Sequence, residues 1–358
     1  MKAAVFVGVN APISVEDVEP LPPGPRDVVL RIGASGVCHS DLSLVDGTLP
    51  FPPPAILGHE GAGTVEAVGS EVTSVKVGDR VISSFIASCG DCWYCHHELP
   101  FVCSETMSMH MKLHARRSDG AEIPSLGGLG TMAELMTVDE RLVVPVESDL
   151  PDEQLALIGC GVTTGVGAVL NTAAVRPGSS VAVIGCGGVG QSVVQGARIA
   201  GAERIIAVDP VALKRKTAAS LGATDLVDPR SSNPLEAVRD LTGGRGADYV
   251  FEVVGRPELV TQAIDMTRSA GTTVLIGVMK MTENIAYNGL AFTYGGKHLV
   301  SSFGGSADPR RDFPAYVRMV EDGRLSLDQM VSRRYKLDEV NDAFAATAAG
   351  EVLRAVLV

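Results

Sequence analysis

Cys89, Cys92, Cys95 and Cys103 follow the pattern C-x2-C-x2-C-x7-C and bring four thiols within fifteen residues. Four sulfur ligands with no open position make a structural zinc site, because Zn²⁺ accepts a tetrahedral set of thiolates. The CxxC turns let paired sulfurs converge, and Gly90 eases the first of them. An iron–sulfur cluster would accept the same thiolates, but nothing else in the chain has the character of a ferredoxin-type electron carrier. The chain holds seven cysteines, an odd number that excludes a complete set of intrachain disulfides. Their uneven placing fits metal chemistry in a reducing compartment better than a secreted disulfide framework. Cys38, Cys160 and Cys186 are left over. Cys38 and Cys160 share with His59 a glycine-rich context: Gly36-Val37-Cys38-His39, Gly58-His59-Glu60-Gly61 and Gly159-Cys160-Gly161. Two Cys and one His would leave the fourth zinc position open for water or a substrate oxygen, the requirement of a catalytic site. Spacing alone does not join these three, and separately buried structural side chains are an equal reading.

A second chemistry stands at Gly185-Cys186-Gly187-Gly188-Val189-Gly190, which fits G-x-G-x-x-G. An apolar run, Val181–Ile184, precedes it, a helical pattern follows, and Asp209 ends the next apolar run 19 residues beyond Gly190. That context is what a dinucleotide-binding turn requires. The glycines allow a tight turn and close approach to a pyrophosphate, and the helix N-terminus offers unpaired N–H groups. Asp209 would accept hydrogen bonds from the adenosine ribose and repel a 2′-phosphate. With no Arg immediately after it, NAD is favoured over NADP. A purely structural Gly-rich turn is the alternative. Cys186, inside this loop, reads as a small packing residue.

Elements must hold these groups in place. Residues 1 to about 150 carry short apolar runs, such as Val28–Ile32 and Gly63–Val68, separated by Gly/Pro turns, the mark of a β-rich domain. Residues 104–128 show little periodicity and read as a long surface loop. From about residue 178 strands alternate with helices, which means βαβ units and a parallel sheet. A length of 358 residues suggests two domains, and 46% hydrophobic residues suit a large core. A net charge of −12 without a Lys/Arg block, and only 4% aromatics, argue against nucleic acid or an anionic membrane as partner. The first apolar stretch reads as a strand with no signal-peptide pattern, and no uninterrupted apolar run approaches the roughly 18 residues of a membrane span. The expected location is cytoplasmic.

Taken together, the Gly58-His59-Glu60-Gly61-Ala62-Gly63 motif, the four-cysteine lobe, Cys160 before Thr163-Thr164-Gly165, and the Gly185 loop with Asp209 resemble the zinc-dependent alcohol dehydrogenases of the medium-chain dehydrogenase/reductase superfamily. The resemblance covers essentially the whole length. It implies an α/β fold: a doubly wound Rossmann sheet at 162–303, inserted in a β-rich GroES-like catalytic domain made of 1–161 and 304–358. It implies two zinc ions, one catalytic on Cys38, His59 and Cys160 with Glu60 able to exchange onto it, the other structural on the four cysteines. Asp41 would orient His59, and Ser40 would hydrogen-bond the substrate alcohol. His39 and Arg354 would approach the cofactor pyrophosphate. Thr164, Val189 and the Ile276–Val278 backbone would surround the nicotinamide, and Lys214 would touch the adenosine ribose. The expected reaction is reversible, NAD-linked oxidation of a primary alcohol to an aldehyde. Alternatives are a polyol or secondary-alcohol dehydrogenase, a zinc-independent quinone or enone reductase, and a non-catalytic NAD-binding zinc protein.

Two departures from the family pattern matter. Ser43 stands where many relatives have the His of a proton relay. Leu49 and Met107 stand where the glutathione-dependent formaldehyde branch has Asp and Arg. Leu49, Phe85, Leu129 and Val278 would line an apolar pocket, and Gly128, in place of a bulky aromatic, would leave room for a larger or aromatic alcohol. The stretch 104–128 resembles that of the dimeric branch, so a homodimer is expected, with a tetramer as the alternative.

Overall fold

The computed structural model describes Met1–Val358, the side chain of His114 excepted. The chain divides into two compact units, Met1–Cys160 with Ala307–Val358, and Gly161–Ser306.

The first unit is built on a seven-stranded sheet. Its long central strand, Asp27–Val37, pairs antiparallel with Glu60–Val68 on one side and with Arg354–Leu357 on the other. Leu135–Asp139 also pairs with its first half. Alternation of buried and open positions along Asp27–Val37 is that of a strand with one covered face. Val28, Leu30, Val65, Val81 and Met136 join one core cluster, whereas Ala4, Val37, Leu57, Phe344 and Leu357 join another. A strand from near residue 355 therefore sits between Asp27–Val37 and Val331–Tyr335 in a sheet whose remaining strands come from the first 145 residues.

Residues 104–128 are not a surface loop. They contain the helix Thr106–His110 and the strands Leu113–Arg116 and Glu122–Pro124, which pair with each other and with Glu19–Pro20. Met109, Ala115 and Ile123 are buried to about 1% exposure. The elements are three to five residues long, too short to establish a visible period in the sequence.

The second unit is a six-stranded, all-parallel sheet. Its strands are ordered Asp225–Val227, Arg204–Val208, Ser180–Ile184, Ala247–Glu252, Thr267–Leu275, His298–Ser301. Numbered by appearance this is 3-2-1-4-5-6, the doubly wound dinucleotide-binding order. Val181, Ala182 and Val183 are fully buried, as strands covered on both faces must be.

Asp152–Thr172 is one continuous helical stretch, with α-helical turns and two π-helical segments, Ile158–Val162 and Ala168–Thr172. By length and composition it is apolar enough to cross a membrane, but most of it is buried inside the protein. It escaped the sequence reading because Thr and Gly residues interrupt the apolar run. Its burial is that of a core helix.

Candidate active site

Cys38 follows the central strand directly and caps the start of the helix His39–Val45. Across the sheet Glu60 pairs with Gly36, so His59 and Glu60 arrive beside Cys38 from the neighbouring strand. Cys160 comes from the π-helical segment Ile158–Val162, a local widening that often marks functional positions. Gly159 lets that segment lie close: a Cβ there would stand 2.7 Å from the Ser83 carbonyl. The ligand atoms of Cys38, His59, Glu60 and Cys160 all lie within 4.8 Å of one another, and all four residues are buried. Residues separated by more than a hundred positions thus form one cluster.

Asp41 holds this cluster from below. It is 0% exposed. Its carboxylate accepts from Cys38 N at 3.2 Å, from Gly58 N at 3.1 Å and from His59 Nδ1 at 3.3 Å. Gly58 has φ +95°, and a Cβ would press on Thr131 and Met132 N, so the turn that delivers His59 admits only glycine. Burial alone would lower the His59 pKa, but the Asp41 carboxylate and the Cys38 sulfur reverse this and hold it at about 10. The hydrogen bond with Cys160 pulls the Cys38 thiol well below its ordinary value; burial opposes this and His59 assists it.

Glu60 is 0% exposed and pairs with Arg354, itself 5% exposed. Glu60 Oε1 and Arg354 Nε have no hydrogen-bond partner among the described residues. A buried carboxylate with an unused oxygen is expensive unless a cation occupies the space beside it. Gly36 makes the pair possible, since a Cβ there would run into Glu60 Oε2 and stand 3.1 Å from Arg354 Nη2. Arg354, expected at the cofactor pyrophosphate, donates through Nη2 to Glu60 inside the first unit and keeps its Nε uncommitted among the described residues. Ser40 Oγ lies 3.8 Å from Cys38 Sγ, half-buried, and His39 is exposed at the helix start. Two sulfurs, an imidazole and a carboxylate in reserve fit zinc.

The second cluster is Cys89, Cys92, Cys95 and Cys103. The sulfurs approach to 3.9 Å (Cys89–Cys95), 3.5 Å (Cys92–Cys95) and 3.8 Å (Cys92–Cys103). Backbone N–H groups of Asp91 and Cys92 point at the Cys89 sulfur and that of Glu105 at Cys103. Backbone N–H groups at Cys95 and Ser104 pull Cys92 down to about 5, whereas burial and the neighbouring sulfurs push Cys95 up to about 12. Four sulfurs so close ionise together only around a cation, which fits a structural zinc.

In the second unit, Gly185 takes φ +91° and a Cβ on Gly190 would strike the Gly185 carbonyl. The helix Gly188–Ile199 therefore begins directly over the strand end. Thr164 and Val189 belong to helices packed closely here: a Cβ on Gly165 would lie 2.5 Å from the Val189 carbonyl. Asp209, 4% exposed, accepts from Cys186 N at 2.8 Å and Val211 N at 2.7 Å. Each oxygen keeps a lone pair for a ribose hydroxyl. These features fit a nicotinamide dinucleotide. Lys214 is half-buried in the following helix, and its carbonyl accepts from Gln191 Nε2. Burial pushes the Cys186 thiol up, as befits a packing residue. Glu252 went unnoticed in the sequence: fully buried, its carboxylate accepts from Val254 N and Gly255 N, and its carbonyl from Ile276 N and Gly277 N. It ties the turn after its own strand to the Ile276–Val278 segment.

The expected pocket residues differ in their surroundings within each unit. Phe85 lies edge-on to the His59 ring at 6.1 Å, and Leu49 is half-buried against the core. Leu129 is 2% exposed and spent in the core cluster with Met109 and Ala87. Val278 is 52% exposed in the second unit. Gly128 does not vacate room for substrate: with φ +69°, its Cβ would stand 2.8 Å from His110 Cα, so glycine there serves the packing of Thr106–His110.

Comparison with known proteins agrees with this geometry. Residues 24–148 match the model of the alcohol dehydrogenase GroES-like domain, and residues 188–322 that of the zinc-binding dehydrogenase. The chain belongs to the zinc-dependent alcohol dehydrogenases of the medium-chain dehydrogenase/reductase superfamily. It is 37% identical to a geraniol dehydrogenase of Castellaniella defragrans over 100% of this chain and 97% of the relative. The crystal structure of benzyl alcohol dehydrogenase from Acinetobacter calcoaceticus superposes with TM-score 0.93 at 32% identity, covering 99% and 98% of the two chains. A zinc-binding dehydrogenase from Sinorhizobium meliloti bound to NADP superposes with TM-score 0.84 at 29% identity, covering 100% and 98%. The chain is an alcohol oxidoreductase that uses zinc and a nicotinamide cofactor.

Proposed function

We propose that this enzyme oxidises primary alcohols with a bulky apolar or aromatic group to aldehydes, reversibly, with NAD as cofactor and two zinc ions per chain. The observation that carries the proposal is the buried Cys38–His59–Glu60–Cys160 cluster beside Ser40. Cys38, His59 and Cys160 would hold the catalytic zinc, and Cys89, Cys92, Cys95 and Cys103 the structural one. Bound zinc supplies a Lewis acid that acidifies an alcohol or polarises a carbonyl, and the nicotinamide accepts or returns the hydride. Asp41 keeps His59 in one tautomer and one orientation. Glu60, balanced by Arg354, keeps a carboxylate in reserve beside the sulfurs. The Ser40 hydroxyl takes the alcohol proton, and the exposed His39 beside it passes the proton to water, which makes up for Ser43 in the relay position. Phe85 and Leu49 supply apolar contacts for the substrate.

Support for a bulky substrate comes from the relatives named for geraniol and benzyl alcohol, since Gly128 no longer argues for it. Support for NAD is the Asp209 carboxylate at the strand end. A homodimer is our reading of the assembly, supported by the strand His298–Ser301, which leaves one edge of the six-stranded sheet unpaired. The test combines zinc counting with NAD reduction across aliphatic, aromatic, terpenoid and polyol substrates. Two zincs per chain and preference for benzylic or allylic primary alcohols are expected. Fewer than two zincs in a fully active preparation, or turnover of ethanol but not benzyl alcohol, would overturn it.

A further inference from the structure

Two arginines rest beside the end of the strand Arg204–Val208. Arg215, from the helix Ala212–Leu221, donates to the Asp209 carbonyl at 2.6 Å. Arg230 comes from the turn after the strand Asp225–Val227, and its Nη2 donates to the Pro210 carbonyl. Both guanidiniums therefore rest on the backbone of Asp209–Pro210, next to the carboxylate that would meet the adenosine ribose. A ribose 2′-phosphate in that position would face two cations, which is the arrangement of an NADP site.

One carboxylate pairs with both. The Asp228 carboxylate pairs with Arg215 Nη2 at 2.9 Å and with Arg230 Nε at 3.3 Å. It also accepts from Arg230 N at 3.0 Å, so the turn 228–230 folds back on its own acid. Asp228 is the neighbour of Asp209 across the sheet: Val208 pairs with Val227, and Asp209 N donates to the Val227 carbonyl. Two carboxylates thus end adjacent parallel strands. The Asp228 side chain is 20% exposed and that of Arg230 is 67% exposed. Arg230 is the more exposed of the pair, and Asp228 is the anchor that holds it.

We infer that Asp228 is a positioning residue for cofactor specificity: it holds Arg230 against the Pro210 carbonyl and so denies a 2′-phosphate its counter-ion. Asp209 repels the phosphate directly, and Asp228 removes the cation that would compensate. The inference rests on the reading that the Gly185–Asp209 region binds a nicotinamide dinucleotide. It explains how a chain with an acid at the strand end tolerates two arginines beside it. It also predicts that discrimination is shared between the two acids.

The test uses the full-length, zinc-loaded protein and calorimetric titration with ADP-ribose and its 2′-phosphate. Asp228→Asn keeps the shape of the turn and releases Arg230; Asp228→Ser is the second release variant. Either is expected to shift the ratio of the two affinities by about tenfold toward the 2′-phosphate. The shift should shrink as salt is raised from about 0.05 to 0.5 M, because a freed surface cation is screened. Asp228→Glu should restore the original ratio. Adding Arg230→Gln to Asp228→Asn should cancel most of the gain, as coupled residues do in a double-mutant cycle. An unchanged ratio in both release variants, or a gain that survives Arg230→Gln, would overturn the inference and leave the cofactor reading intact. Failure of the wild-type chain to bind ADP-ribose would overturn both.

Discussion

Replacing Asp41 by Asn should loosen one zinc and spare the other. The side chain is fully buried and its carboxylate receives three N–H groups, from Cys38, Gly58 and His59. Asn has the same shape but one oxygen, and its NH2 must face a donor in either orientation. With the oxygen left toward His59 and Gly58, the amide opposes Cys38 N–H, and one bond to a charged acceptor is lost. With the amide reversed, two are lost, so the first orientation wins. A hydrogen bond to a charged group contributes about 1.5–3 kcal/mol, or roughly one to two decades of affinity. Groups that orient metal ligands commonly act on that scale. The assay is zinc release to a chromogenic chelator. The variant should give up its first zinc at about 10–100-fold lower chelator concentration, while the zinc proposed for the four cysteines, which lie outside Asp41's hydrogen bonds, titrates as in the parent. Alcohol turnover should fall with occupancy and return with added zinc. Release of both ions together would mean that Asp41 stabilises the whole unit and does not orient His59. No change in either would remove Asp41 from the site.

Gly190→Ala should weaken NADH binding by more than about tenfold, because the new Cβ strikes the Gly185 carbonyl and must push the helix Gly188–Ile199 away from the loop; unchanged fluorescence titration would contradict the close packing. Cys103→Ser should lower the zinc count by one per chain and lower Tm, whereas retention of two zincs would show that the fourth sulfur is dispensable. Asp139→Asn tests the acid limb of stability. Burial works to raise the Asp139 pKa, but pairing with Arg141 and Lys112 outweighs it and holds the carboxyl well below its ordinary value. A folded pKa below the unfolded one stabilises above about pH 4 and is lost as pH falls through the folded value. The variant should therefore lose about 2 kcal/mol at pH 7, lower Tm by roughly 4–8 °C, and lose less than the parent on going from pH 5 to pH 2 in thermal melts.

The four-cysteine lobe was legible because its ligands are neighbours in sequence and the motif carries its own turns. The Gly185 loop was legible for the same reason, with Asp209 one strand away. Cys38, His59 and Cys160 could be joined only through the family resemblance: the antiparallel pairing of Glu60 with Gly36 and the π-helical segment around Cys160 are tertiary facts without a local signal. The regular parallel strands announced themselves as buried apolar runs, whereas Leu113–Arg116 and Glu122–Pro124 were too short to. Gly128 shows the opposite error: a small residue was read as space for a ligand, and its Cβ direction points into the backbone of His110. Arg230 was invisible as a neighbour of Asp209 because 21 residues and a helix separate them.

The strand Arg354–Leu357 lies between Asp27–Val37 and Val331–Tyr335, and this governs the order in which the molecule can be made. Residues 161–306 are contiguous and can collapse as soon as they leave the ribosome. The sheet that carries Cys38 and Glu60 gains its last two strands, Val331–Tyr335 and Arg354–Leu357, only when the chain is nearly complete. Non-local closure of this kind is slow, and until it happens Glu60 has no Arg354 opposite. A nascent chain stalled before residue 354 would hold all the ligands of both clusters but lack the guanidinium that balances Glu60.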